Sequence, residues 1–282
     1  MTYYPLVSLG DGLVARISPG RGEHVLWIHG YALDSSSWSE LWDLLPRWRH
    51  IGVDLPGHGQ SLPLPSDEEL PSLARRLGHL AHKRQVRHLV ALSFGTLVAL
   101  QMAIELPDAF ATLVLGSPLA EYGANDELFW KRYRELVNMY MMGGHGEHLR
   151  GRLMLVEPSP FEGVADRPDL WRRLWDIVGR HGFWDLKDAA LIRLGNHMQS
   201  DVHLHRIESS VLLVAGKRER PAARRHAERL SRTLRRCRSV HVLEASGHSL
   251  LEAPETTAAA IDGHLRAHAG GLADPAAPGG VA

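Results

Sequence analysis

At 282 residues the chain is long enough for a sizeable core in one or two domains, and its 44% hydrophobic and 23% charged residues are ordinary for a soluble globular protein. Lys plus Arg and Asp plus Glu number 32 each, so the formal net charge is zero and the basic excess of a nucleic-acid binder is missing. Cys237, in the Arg-rich run 235–239, is the single cysteine, which excludes an intramolecular disulfide.

The start, MTYYPLVSLGDG, has no charged region followed by a long apolar one, so no secretory signal is expected and the cytoplasm is the expected compartment. Tyr4–Leu9 and Leu13–Ile17 read as strands joined by the hairpin signal Gly10-Asp11-Gly12. Val25–Ile28 predicts a buried strand ending at His29-Gly30. Ser35 to Trp48 predicts a serine-capped helix with Trp38, Leu41, Trp42 and Leu45 on one face. His50–Leu55 is the next strand, stopped by Pro56-Gly57-His58-Gly59. A helix is expected over Asp67–Lys83, acidic first and basic last, in keeping with the helix dipole.

Strand His88–Leu92, a turn at Ser93, helix Gly95–Leu106 and strand Thr112–Gly116 follow. Leu89–Leu106 carries no charge and approaches the length of a membrane span, but Ser93, Gly95, Thr96 and Gln101 make a buried strand, turn and helix the better reading. From 119 to 208 no good strand is found, only helical patterns rich in Trp, Phe, Tyr and Met. Strand–helix alternation returns with Val211–Ala215, Arg224–Arg235, Val240–Leu243 and a last helix over Glu255–His268. The expected division is a core of 1–118 and 209–269, a helical cap of 119–208, and a Gly/Pro/Ala-rich tail, 270–282, read as disordered. Alternating strands and helices predict an α/β fold with a mostly parallel sheet.

The chemistry centres on Ala91-Leu92-Ser93-Phe94-Gly95. A serine hydroxyl needs an adjacent base and a backbone that holds its oxygen out for attack. A sharp strand-to-helix turn does the second, and it demands tiny residues two positions either side of the serine. Ala91 and Gly95 hold those places, one methyl away from the G-x-S-x-G pattern. Gly247-His248, beyond the last strand, supplies a base able to reach the same sheet edge, because parallel strands all end on one side. His145 with His148, and His203 with His205, have spacings a metal could use. Without a His-Glu-x-x-His helix or a cysteine partner, no metal is expected. No Gly-x-Gly-x-x-Gly follows the first strand, so no nucleotide cofactor is expected either.

Four segments taken together resemble the α/β-hydrolase family, in family order and over nearly all of residues 3–268. They are Trp27-Ile28-His29-Gly30-Tyr31, the run Val53 to Ser61, the elbow at Ser93, and Gly247-His248-Ser249-Leu250-Leu251-Glu252-Ala253-Pro254-Glu255. The resemblance implies Ser93 as nucleophile, His248 as general base, and the Tyr31 and Phe94 N–H groups as the oxyanion hole. Asp54 and His58 are expected to brace their loop. For the third member of the triad it implies Glu219, three residues beyond Gly216, with Glu121 after strand Thr112–Gly116 as the alternative. Glu252 and Glu255 are expected to cap the last helix.

The resulting expectation is a cofactor-independent hydrolase of an ester or thioester of a medium-sized hydrophobic acyl compound, working through an acyl-enzyme. The helical cap would form an apolar pocket, with no nucleic-acid or membrane partner expected. Two alternatives stay open: the same Ser–His pair used for acyl transfer, C–C bond hydrolysis, lyase or cyclisation chemistry, and a binding protein that keeps the fold without catalysis.

Overall fold

Short apolar runs bounded by Gly and Pro become, in the computed structural model, the strands of one eight-stranded sheet. The structure describes residues 2–20, 22–119, 127–144, 146–156, 159, 161–195, 197, 199–219, 221–242 and 245–270. The strands are β1 (Leu6–Gly10), β2 (Leu13–Ile17), β3 (His24–Ile28), β4 (Arg49–Asp54), β5 (Val86–Leu92), β6 (Thr112–Gly116), β7 (Ser210–Gly216) and β8 (Cys237–Val242). Across the sheet they run β1-β2-β4-β3-β5-β6-β7-β8. β1 and β2 form the expected hairpin, with Gly10, Asp11 and Gly12 all at positive φ. β2 is also antiparallel to β4, and every pairing from β4 to β8 is parallel.

Parallel strands covered on both faces lose the polar alternation of half-exposed ones. All of β6 and residues 88–92 of β5 are buried accordingly. The covering helices are α1 (Ser39–Leu44), α2 (Leu70–Lys83), α3 (Phe94–Glu105), α10 (Pro221–Thr233), α11 (Ser249–Glu252) and α12 (Pro254–Arg266). Between β6 and β7 the described residues form α4 (Glu127–Met141), α5 (Glu147–Met154), α6 (Pro168–Arg180), α7 (Asp185–Asp188), α8 (Ala190–Gly195) and α9 (Asp201–Leu204), with no strand among them.

The uncharged stretch Leu89–Leu106 divides between β5 and α3, and α3 is buried from Phe94 to Ala103, which explains its apolar character on every side. No helix among the described residues is long and apolar enough to cross a membrane. Two helices differ from expectation. α2 begins at Leu70, so Asp67, Glu68 and Glu69 precede it rather than fill its first turn. The stretch from Ser35 opens with a 3-10 turn, Ser35–Trp38, capped not by serine but by the Asp34 carboxylate, which accepts the Ser36 N–H; α1 then ends at Leu44. Its apolar face is buried as expected, with the Trp38 ring 5.1 Å from that of Trp27. The last helix runs close to its expected span, as α12, and the short α11 precedes it; Ala253 between them (φ −136°, ψ 67°) lies outside the helical region that a following proline disfavours.

Candidate active site

Because β3 to β8 are parallel, the loops leaving their C-terminal ends share one edge of the sheet. Ser93 stands there, between β5 and α3, at φ 51° and ψ −121°. A non-glycine residue at positive φ is strained by about 1–3 kcal/mol, and such strain persists only where the surroundings enforce it. Here they do. The Ser93 N–H donates to Gly116 O (2.9 Å), and its carbonyl accepts from the Thr96 N–H (2.9 Å) and hydroxyl (2.6 Å). A side chain at Gly95 would run into the carbonyl oxygens of Ile28 and His29, so only glycine lets α3 approach β3 this closely. Ser93 itself is only half-buried, while Ala91, Leu92 and Phe94 around it are buried. The elbow thus holds its side chain out from a closed core.

His248 lies in the turn before α11 and is buried. Its segment is tied to the elbow through the end of β6. Gly116 receives the Ser93 N–H, the next residue's Ser117 N–H reaches Val214 O (2.9 Å), and the Ser117 hydroxyl meets that of Ser249 (3.0 Å). The Ser249 hydroxyl also donates to Val214 O at 2.9 Å. Glu252 does not cap α12 as expected. Its carboxylate turns back to accept the N–H groups of His248 and Ser246, each at 2.8 Å, and the Ser246 hydroxyl at 3.0 Å. It therefore fixes the backbone that carries His248. A glutamate in the first turn of a helix after Gly-His-Ser was visible in the sequence, but its backward reach was not.

Glu219 follows β7 on a turn packed against the same segment. The Arg218 N–H donates to Ala245 O (3.1 Å), and a side chain at Gly216 would collide with that carbonyl. Glu219 is 1% exposed. Its Oε1 accepts the Gly216 N–H at 3.0 Å, and among the described residues Oε2 makes no hydrogen bond. Burial pushes its pKa up to about 7; the Gly216 N–H and the Ser117 hydroxyl oppose this, and the neighbouring Glu252 charge adds to it. A buried carboxyl so placed gains if a positive charge arises beside it. Glu121, the alternative acid, and His145 lie outside the described residues.

On the other side of Ser93, the loop after β3 packs directly on the elbow. A Cβ at Gly30 would stand 3.3 Å from Ser93 Cβ, so the backbone just before Tyr31 lies against Ser93. Phe94 is the first residue of α3, where backbone N–H groups point out of the helix end. His29 braces this loop from beneath: its Nδ1 lies 2.8 Å from Gly30 O, and its Nε2 accepts the Leu55 N–H at 3.0 Å. Asp54 accepts the N–H groups of Ser35 (2.8 Å) and Gln60 (2.9 Å), and His58 Nδ1 reaches Pro56 O (3.0 Å), so both brace their loop.

Described residues of the segment between β6 and β7 touch both halves of this edge. The Phe161 ring stacks on His248 at 4.5 Å. Arg167 donates to the carbonyls of Leu251 (3.0 Å) and Glu252 (2.8 Å). Tyr31 Oη donates to Asp185 Oδ2 (3.0 Å), and Arg180 pairs with Asp34 (2.9 Å). Of its aromatic residues, Phe161 and Phe183 are buried and Trp184 is 54% exposed. Among the described residues no cluster of His, Cys, Asp and Glu has the geometry of a metal site.

Residues 25–260 match the sequence profile of a family described as the alpha/beta hydrolase family. One relative is a dihydrolipoyllysine-residue acetyltransferase component of an acetoin cleaving system from Cupriavidus necator. It is 28% identical over 232 residues, covering 77% of this chain and 58% of its own length. Another is a pimeloyl-[acyl-carrier protein] methyl ester esterase from Methylococcus capsulatus, 39% identical over 103 residues, 35% of this chain and 39% of that one. The chain thus spans less than two thirds of the length of either relative. Among solved structures, a thermophilic esterase from Thermogutta terrifontis superposes with a TM-score of 0.76 at 20% identity, covering 95% of this chain and all of that one. That likeness concerns the fold.

Proposed function

The chain belongs to the alpha/beta hydrolase family, and we propose that it hydrolyses an ester or thioester through an acyl-enzyme on Ser93. The observation that carries the reading is the elbow: a half-buried serine held at φ 51° on the sheet edge to which the His248 segment is bonded. The methyl ester esterase named among its relatives agrees with it.

In this reaction Ser93 Oγ attacks the carbonyl carbon while His248 takes its proton. The negative charge moves to the carbonyl oxygen, which receives hydrogen bonds from the Tyr31 and Phe94 N–H groups. Backbone donors of this kind need no reorganisation as the charge develops. The intermediate collapses, the C–O or C–S bond breaks, and His248 returns the proton to the leaving alkoxide or thiolate. Water then attacks the acyl-enzyme with His248 again as base, releasing the acid and restoring the serine. Glu219 is the proposed acid partner of the imidazolium, whose charge would draw the carboxyl back toward ionisation. The helices α4 to α9 form the proposed cap, and its buried aromatic residues favour an apolar acyl group.

Treatment with a fluorophosphonate should label Ser93 in the folded protein, and Ser93→Ala should abolish both labelling and turnover of p-nitrophenyl acyl esters. Folded protein that takes no label would end the proposal. A second reading, acyl transfer, draws on the acetyltransferase-component relative. Product analysis separates the two: with a competing alcohol or thiol present, a hydrolase still yields mainly the free acid.

A further inference from the structure

One charged side chain near the edge has no part in the steps above. Asp185, at the start of α7, is 8% exposed and accepts from two groups. Tyr31 Oη lies 3.0 Å from its Oδ2, and His181 Nε2 lies 3.2 Å from its Oδ1. The Tyr31 ring is boxed in by two imidazoles, with centroids 5.8 Å from His58 and 5.6 Å from His181, and those two stack on each other at 4.4 Å.

The backbone of Tyr31 explains why such a clamp matters. Gly30 O accepts the Leu33 N–H at 3.2 Å, closing a four-residue turn with Tyr31 and Ala32 at its centre. Ala32 sits at φ 58°, a left-handed conformation that alanine adopts only under constraint. The 30–31 peptide, whose N–H faces the elbow in the proposed reaction, is therefore part of a strained turn. His29 holds that turn on its Gly30 side. On the far side the Tyr31 hydroxyl is tethered to an element 154 residues away in sequence.

We propose that Asp185 is a positioning residue for the oxyanion hole: by holding the Tyr31 hydroxyl, it fixes the orientation of the Tyr31 N–H toward the reacting carbonyl. This rests on the acyl-enzyme reading of Ser93. It also makes the oxyanion hole complete only when the segment bearing α7 is seated on the core.

The test uses full-length protein, with active sites counted by fluorophosphonate labelling and turnover expressed per labelled site. Tyr31→Phe keeps the ring and the backbone N–H and removes the tether's donor; Asp185→Ala removes its acceptor. Each should lower kcat about tenfold while KM stays within about twofold, the pattern of an interaction made in the transition state. The loss should fall short of the roughly hundredfold or more seen when an oxyanion donor is removed outright. Affinity for a trifluoromethyl ketone should fall in parallel with kcat. The double variant should be no worse than the poorer single one, because both cut one tether. Trp184→Ala, on the exposed neighbour, should leave all of these unchanged.

Variants that melt earlier yet keep full kcat per labelled site would overturn the proposal, as would strictly additive losses. If the wild-type protein takes no label, the acyl-enzyme reading fails and this inference with it. A labelled, active wild type beside unaffected variants sinks this inference alone.

Discussion

The two ends of the central sheet each hold a carboxylate, an imidazole and a hydroxyl, and only one of them is the proposed active site. At the N-terminal end, His88 of β5 sits between Thr112 Oγ1 of β6 (2.8 Å from Nδ1) and Glu23 Oε2 just before β3 (2.8 Å from Nε2). By distance alone this set has the spacing of a proton relay. Yet Thr112 is fully buried in the first position of a regular strand, where no carbonyl carbon can approach it. Burial pushes the His88 pKa down, and the Glu23 carboxylate only partly offsets this. At the C-terminal end Ser93 is half-buried, strained at φ 51° and followed at once by a helix N-terminus. Hydrogen-bond geometry does not separate a site from a staple. Exposure of the hydroxyl and the backbone strain that maintains it do.

The largest effect that could break this comparison is at the hydroxyls. Ser93→Ala should lower kcat/KM by about a millionfold, as removal of an acyl-enzyme nucleophile does, with little change in melting temperature. Thr112→Val should leave kcat/KM unchanged and lower stability by about 1–3 kcal/mol, since it strips the buried His88 Nδ1 of its partner. Reversal of the two outcomes in steady-state kinetics and denaturant melts would place the chemistry at the N-terminal end.

Glu219→Gln comes next, with an expected fall in kcat of about 10³–10⁴ if the carboxylate orients and balances the His248 imidazolium. Stability should move the other way. The folded-state pKa, about 7, is raised above the ordinary value of 4.5, so the folded protein binds this proton more tightly than the unfolded chain does. Stability contributed here is present at low pH and is lost as pH rises from about 4.5 to 7. Glutamine escapes that loss, so the variant should melt progressively higher than wild type between pH 5 and pH 8, then hold a constant lead. A fall in kcat of less than tenfold would move the acid role to Glu121.

The sequence made one of these two ends legible and hid the other. Ser93, Gly95 and the apolar runs around them lie within a few residues, and a strand–turn–helix leaves a local signature. Gly-His-Ser-Leu-Leu-Glu likewise announced itself beside a helix start. Thr112, His88 and Glu23 are far apart in the chain, and no local pattern pairs them. The same holds for Tyr31 with Asp185, and for the backward turn of Glu252. Strand edges were misread for a related reason. β8 begins at Cys237 rather than Val240, because it is the last strand of the sheet, paired on one side only, and its first residues are polar. Glu219 is pointed to by the family resemblance, which places an acid three residues beyond a glycine after this strand; its brace onto the Gly216 N–H depends on a fold that periodicity does not describe.

The smallest expected effect lies wholly at the N-terminal end and would sharpen what distinguishes a staple from a site. His88→Leu leaves the Glu23 carboxylate and the Thr112 hydroxyl without their imidazole, and should lower stability by about 1–3 kcal/mol with kcat/KM unchanged. Adding Thr112→Val should recover part of that loss, because removing both partners of a buried hydrogen bond is milder than removing one. The pH dependence has a definite sign. Burial holds the His88 pKa below the ordinary value of 6.5, so the unfolded chain takes up this proton before the folded protein does. Stability from the neutral imidazole is therefore present above about 6.5 and is lost as pH falls below it. Wild-type melting temperature should decline from pH 7 toward pH 5, with a shallower decline in His88→Leu. The slope should not vanish, since His50 and His264 are also held low, near 4, by burial. An unchanged slope in the variant would mean that His88 is charged in the folded protein and that the Glu23 contact is an ion pair.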